Sequence, residues 1–207
     1  MGTIGTINVN NKTTANETCD KLYTLSTSDG EKVLSELQRV IGNLEKHWIS
    51  SDASKHQNNL RDIYKRLGTL LDEAIKYSVA AGNSIKSLLS VSNANIGLSG
   101  MGMLSVKTLN KVTYQKLSEA ETRWYCEPGT TITDYQNLVE LAKSFESFRK
   151  KFIGYKDELM TNWLDGMDRK LAFDAFENFA TNSANDVDKI TKAAENLDIA
   201  IKNISQL

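Results

Sequence analysis

The chain of 207 residues contains one proline, two cysteines and two histidines, and each shortage narrows what the protein can be. A single proline leaves room for long helices, because proline breaks a helix interior. The formal net charge of −1 offers no basic surface of the kind that binds nucleic acid. With 40% hydrophobic and 25% charged residues, the composition is that of a globular protein. We therefore expect a folded, helical protein with no nucleic-acid partner.

The few histidines and cysteines provide no recognisable reactive centre. His47 and His56 lack the third ligand that a zinc site of the usual kind requires. Neither histidine lies in a motif for Ser-His-Asp or Cys-His catalysis. Cys19 and Cys126 fit no metal-binding spacing, and could be two free thiols or, in an exported protein, a pair. We predict a protein that is not an enzyme, with no catalytic residues, no metal and no cofactor.

Four stretches of the sequence repeat apolar residues every three or four positions, which is typical of amphipathic helices. Short polar segments at 49–52 and 164–167 separate the first two stretches and the last two. Each pair should therefore fold as a hairpin, and the two hairpins should bury their apolar faces together. We predict an all-α fold, an elongated antiparallel helical bundle built from two long helical hairpins. The four stretches are 33–48, 53–89, 138–163 and 172–204.

The same pattern predicts where the segments of the chain begin and end. Ser28 and Glu31 have the spacing of a capping box at the start of the first helix. Ser51 or Asp52 could cap the second helix, and Pro128-Gly129 marks a turn before the third. The connector between the hairpins contains an uncharged stretch and could hold a short helix. The predicted segments are a polar N-terminal arm, a first hairpin, the connector and a second hairpin, at 1–27, 28–90, 91–130 and 131–207.

Both predicted hairpins turn at a tryptophan. The second turn reads Asn162-Trp163-Leu164-Asp165-Gly166, and the first reads Trp48-Ile49-Ser50-Ser51-Asp52-Ala53 with serine at the glycine position. A helical hairpin of this length with Trp-x-Gly at its turn resembles the WXG family of small type VII secretion substrates. Gly166 comes one residue later than in the family motif. The resemblance assigns an interaction role to the turn residues Trp48, Ser50, Ser51, Trp163, Asp165 and Gly166.

The resemblance also implies an architecture and a compartment. The family forms dimers of hairpins packed as four-helix bundles, so this chain resembles two family members fused, with the dimer partner built in. It would be a monomer with internal hairpin pairing, or a dimer. Its partners would be proteins, either secretion machinery or a host target. The chain would be secreted or at the cell surface of a bacterium without a cleavable signal peptide, cytoplasmic before export, and associated with virulence.

Other interpretations of the same sequence remain open. Residues 87–106 carry no charge and have the length of a membrane span, but half of them are Ser, Asn or Gly. An α-helical pore-forming or membrane-acting protein is therefore an alternative, and membrane contact is not favoured. A structural subunit of a helical assembly is a further alternative. For Trp48 and Trp163 we favour a role as core aromatics that close the bundle over a contact with secretion machinery.

Overall fold

Helices make up most of the protein in the computed structural model, which describes residues 8–92, 102–118, 123–165 and 169–204. The predicted all-α bundle is confirmed, with long helices packed against each other. Within the described residues, four strands of two or three residues lie before or between the helices: β1 (Asn8–Val9), β2 (Trp48–Ile49), β3 (Tyr125–Cys126) and β4 (Trp163–Asp165). The helices are α1 (Lys12–Thr24), α2 (Gly30–His47), α3 (Ser51–Ser92), α4 (Pro128–Asn162) and α5 (Arg169–Ile204).

The first helix starts much earlier than the sequence pattern indicated. Asn11 caps α1, because its Oδ1 accepts a hydrogen bond from the backbone N–H of Thr14 at 3.0 Å. A π-helical turn, Leu25–Asp29, then joins α1 to α2 without a break. The prediction of a polar arm over 1–27 is thus wrong for Lys12 onward, as is a helix start at Ser28. The buried face of α1 consists of small, polar or sulfur-containing residues and leucine: Ala15, Asn16, Thr18, Cys19 and Leu22.

The chain forms two compact units, and each unit takes a piece of every long helical stretch. Unit 1 comprises the described parts of 1–30, 70–109 and 149–181. Unit 2 comprises those of 31–69, 110–148 and 182–207. This division differs from the predicted boundaries, which followed the hairpins. Helices that lie side by side share contacts along their length, so the segments that pack together come from different hairpins.

Unit 1 has an aromatic core. The rings of Phe152 and Phe179 lie 4.3 Å apart between centroids, and those of Phe152 and Phe176 lie 5.6 Å apart. Trp163 packs near Phe173 at 5.9 Å. These residues belong to the apolar stripes of the third and fourth predicted helices, so that part of the sequence pattern is confirmed.

Unit 2 has a core that is mostly aliphatic. It also contains Phe145 and Phe148, whose ring centroids lie 6.3 Å apart. All the apolar positions predicted for α2 are buried, which confirms the first stripe. The buried side chains of α2 and of the first half of α3 include Leu37, Val40, Ile41, Leu44, Leu60, Ile63 and Leu67.

Residues 102–118, which we call the strap, have no regular secondary structure. Two asparagines of α3 hold its main chain, Asn83 in unit 1 and Asn58 in unit 2. The short helix considered for the connector is therefore absent from this part of the chain. Residues 93–101 of the uncharged stretch lie outside the described residues. None of the helices in the described part of the chain is both long and apolar enough to cross a membrane.

Candidate functional site

The tryptophan turn of the first hairpin lies in unit 2 and is closed by the chain that precedes the second hairpin. β2 pairs antiparallel with β3, placing Trp48 opposite Cys126 and Ile49 opposite Tyr125. The backbone N–H of Glu127 then donates to the carbonyl of His47 at 3.1 Å. Carbonyl groups at the end of α2, which have no hydrogen-bond partner within the helix, thereby gain one.

The tryptophan turn of the second hairpin lies in unit 1 and is closed by the start of the chain. β1 pairs antiparallel with β4, with Asn8 opposite Asp165 and Val9 opposite Trp163. The backbone N–H of Asn10 donates to the carbonyl of Asn162 at 2.9 Å. Each turn is thus completed by a two-residue strand that leads into the other hairpin. The resemblance implied paired hairpins, but it did not predict that the strand before each hairpin pairs with the turn of the other hairpin.

Side chains from the following helix bind the carbonyl of each turn tryptophan. In unit 2, Gln57 donates from Nε2 to the carbonyl of Trp48 at 2.9 Å and to that of Leu44 at 3.0 Å. In unit 1, Arg169 donates from Nε to the carbonyl of Trp163. Gln57 is almost fully buried, so both its bonds form away from water. The two hairpin turns are therefore held by side-chain as well as main-chain hydrogen bonds.

The turn residues singled out from the sequence divide into core and capping residues. Trp48 and Trp163 are 5% and 1% exposed, so neither indole presents a surface to a partner. Ser50 caps α3, since its Oγ accepts from the backbone N–H of Ala53 at 2.9 Å. Capping by Ser51 or Asp52 was therefore a wrong prediction, and Ser51 is the half-buried first residue of the helix.

In the described part of the second turn, the exposed apolar side chain is that of Leu164. Asp165 lies in β4, and Gly166 lies outside the described residues. Leu164, between the buried tryptophan and Asp165, is 42% exposed.

His56 lies beside the first turn and stacks on Trp48, with ring centroids 5.6 Å apart and planes 17° apart. Burial lowers the pKa of His56 from its ordinary value of 6.5, and Lys55 acts in the same direction, while Asp52 opposes them. The neutral imidazole is therefore the form that this packing favours.

His47 has a different partner. Its Nδ1 lies 2.7 Å from Oδ2 of Asp134, whose side chain is almost fully buried. The two histidines thus have separate environments in unit 2. Among the residues that the structure describes, no three His, Cys, Asp or Glu side chains are grouped so as to hold a metal ion.

The strap forms a second candidate site, on α3 in unit 2. Asn58 donates from Nδ2 to the carbonyl of Leu117 at 3.1 Å and accepts from its N–H at 2.8 Å. The hydroxyl of Tyr64 accepts from the N–H of Val112 at 3.1 Å. A cleft of about 360 Å³ lies between this part of α3 and the strap. An asparagine or tyrosine among the apolar positions of a helix is the signal that could have indicated this site.

Comparisons with protein-family models, with characterised proteins and with solved structures find no significant match to this chain.

Proposed function

We propose that the chain is a helical interaction protein of a bacterial type VII secretion system, built as two WXG-like hairpins fused in tandem. The observation that supports this is the reciprocal closure of the turns, in which the strand before each hairpin pairs with the tryptophan turn of the other hairpin. A duplicated hairpin that pairs with its own copy is expected to show the same contact twice. The chain does so through Trp48 and Trp163.

The tryptophans organise the turns in this proposal, and the contact with secretion machinery is made by neighbouring exposed residues. Both indoles are buried, so their role is to hold the turn in one conformation. Leu164 projects from the second turn with 42% of its surface exposed. Replacing it should weaken recognition without creating a cavity in the core.

Export from a bacterial host with an active type VII system tests this function. The Leu164→Ser variant should appear in the medium at less than a tenth of the wild-type amount, with an unchanged melting temperature. Leu171→Ser is the matched control, because Leu171 is 56% exposed on α5 in the same unit. It should be exported normally. Export that persists in a host lacking the secretion ATPase would exclude the type VII assignment.

Internal pairing of the hairpins predicts a particular mass in solution. Because each turn is closed by residues of the same chain, sedimentation equilibrium should give a monomer of 23.1 kDa at micromolar concentration. A stable species of twice that mass, formed by exchange of whole hairpins between chains, would contradict the fused arrangement.

A further inference from the structure

The charged side chains of the strap are all positive. Residues 102–118 include three lysines, Lys107, Lys111 and Lys116, and no Asp or Glu. The whole chain, by contrast, has 25 basic and 26 acidic residues. Lys111 and Lys116 belong to unit 2 and line the cleft of about 360 Å³ between α3 and the strap. Positive charge is therefore concentrated along one wall of the cleft, although the chain as a whole is almost neutral.

The wall formed by α3 adds a third lysine, Lys65, together with Arg61 and Asp62. Arg61 donates to Oε1 of Glu45 from Nη2 at 2.6 Å and from Nε at 3.1 Å. The charge of Arg61 is thereby compensated by Glu45, which leaves three lysines and the carboxylate of Asp62. Among the described residues that line the cleft, positive charge therefore exceeds negative charge.

Gly68 gives the side chain of Lys111 a path across α3. A Cβ at Gly68 would lie 2.7 Å from Cδ and 3.6 Å from Cγ of Lys111, so the aliphatic stem of the lysine lies directly over the glycine. Glycine inside a helix is less stable than alanine. The helix tolerates it here at a position where a larger residue would displace Lys111 from the edge of the cleft.

Uncharged side chains complete the cleft. The rings of Tyr64 and Tyr114 meet edge-on, with centroids 5.2 Å apart, and supply an apolar wall. Thr113 and Gln115 supply side chains that can donate hydrogen bonds. The cleft volume is at the lower end of the range for small-molecule sites, roughly 300–1,000 Å³. The cleft thus fits a small organic molecule while the strap stays where it is.

We propose that this cleft binds a small organic polyanion, a molecule with two or more phosphate or carboxylate groups, through Lys65, Lys111 and Lys116. A cleft lined mainly by one sign of charge concentrates ions of the opposite sign. Lysine ammonium groups bind phosphate and carboxylate oxygens as point charges. The strap forms one wall of the site, and binding requires no part of the chain to leave. This site is additional to the proposed role in secretion.

Isothermal titration calorimetry of the full chain tests the proposal. The probes are fructose 1,6-bisphosphate and tricarballylate, and fructose is the neutral control. At least one of the two anions should bind at a single site, and fructose should not bind. Binding of the bisphosphate alone identifies a phosphate ligand, and binding of tricarballylate alone identifies a carboxylate ligand. Affinity should fall as salt is added, because salt screens exposed charges.

Two variants should change the affinity in opposite directions. Lys65→Gln with Lys111→Met removes two positive charges, and methionine keeps an aliphatic stem over Gly68. This double variant should bind the anion about tenfold more weakly, because it loses two charge-assisted contacts. Asp62→Asn removes the opposing carboxylate and should bind about threefold more tightly.

A matched control changes two lysines outside the cleft. Lys189 and Lys192 are exposed on α5 in unit 2 and do not line the cleft. Lys189→Gln with Lys192→Met should bind the anion as the wild type does. If the cleft double variant melts at a lower temperature than the wild type, Lys65→Gln with Lys116→Gln takes its place.

The absence of binding by both anions at millimolar concentration would overturn the proposal. Equal weakening in the cleft and control variants would also overturn it, because binding would then follow overall charge. A short single-stranded oligonucleotide that displaces the bisphosphate at equal concentration would overturn it in favour of nucleic acid. These measurements use the purified chain and no secretion system, so this proposal and the proposed function can fail separately.

Discussion

Arg66 forms an ion pair with Asp186, whose side chain is completely buried in unit 2. The Nε of Arg66 lies 2.9 Å from Oδ1 and 3.2 Å from Oδ2 of Asp186, and the Nη2 of Arg66 also donates to Oδ1. A carboxylate at this depth is stable only while the guanidinium compensates its charge. The pair links the first half of α3 to the middle of α5 in unit 2.

Removing only the arginine should destabilise the protein strongly. We expect Arg66→Met to lower the free energy of unfolding by about 3 kcal/mol, because it leaves Asp186 buried without its cation. The double variant Arg66→Met with Asp186→Leu should recover most of that loss, since it leaves no buried charge. Urea unfolding at pH 7 measures both. Equal stabilities of the single and double variants would contradict this account.

Glycines in the helices should respond to alanine according to the space around them. A Cβ at Gly42 or Gly154 would meet no atom within 4 Å. Alanine at either position should raise the free energy of unfolding by about 0.5–1 kcal/mol, because alanine loses less backbone entropy on folding. At Gly30, by contrast, a Cβ would lie 2.6 Å from Cδ2 of the buried Leu71.

Gly30→Ala should therefore change the free energy of unfolding in the opposite direction to those two substitutions. The buried leucine must move to admit the new methyl group, so this variant should lose about 1 kcal/mol. Thermal unfolding of all three variants under one set of conditions gives the comparison. A Gly30→Ala protein that melts above the wild type would show that Leu71 yields without strain.

The stacking of His56 on Trp48 should make stability depend on pH in mildly acidic solution. Burial lowers the pKa of His56 in the folded state below the 6.5 of the unfolded chain, so between those two values the unfolded state binds more protons. The free energy of unfolding should therefore decrease as the pH falls through 6.5, and it should level off once the pH is below the folded-state pKa of His56. Glutamine does not titrate in this range. Urea unfolding of the wild type and of His56→Gln at a series of pH values therefore isolates the effect of His56 as the difference between the two proteins. An identical pH dependence of both proteins would exclude it.

The two cysteines should differ sharply in reactivity. Burial, with a further contribution from Asp20, raises the pKa of the Cys19 thiol to about 12, and the thiolate is the reactive form. Cys126, half-buried with its Sγ 3.3 Å from Oγ1 of Thr131, should be alkylated first by iodoacetamide at pH 8. Mass spectrometry of the folded protein should find one modified cysteine, and of the urea-unfolded protein two. Modification of Cys19 at the rate of Cys126 would contradict this prediction.

The predictable part of the fold is the part with strong apolar periodicity. The stripes of α2, α3, α4 and α5 are rich in leucine, isoleucine, valine and phenylalanine, whose burial dominates helix packing. The helix α1 escaped prediction because its buried positions include the polar Asn16 and Thr18, which carry no apolar signal. A cap at Asn11 and the spacing of Ala15, Cys19 and Leu22 would have been the indication.

The sites were less predictable than the fold because main-chain atoms form much of them. The tryptophan turns were located correctly, but a strand of two residues is too short to show an alternating pattern. The strap has no periodicity, and its positions are determined by Asn58 and Asn83 on a helix distant in sequence. Single asparagines on a long helix do not reveal which segment they hold.

The reciprocal closure of the turns gives the protein an order of folding during synthesis. The turn at Trp48 emerges from the ribosome long before Tyr125–Cys126, so the first hairpin leaves with its turn open. When the turn at Trp163 emerges, its partner strand Asn8–Val9 has already been made. Pairing between positions so far apart in sequence is slow. The first hairpin must therefore remain unaggregated with an incomplete turn until the second hairpin begins.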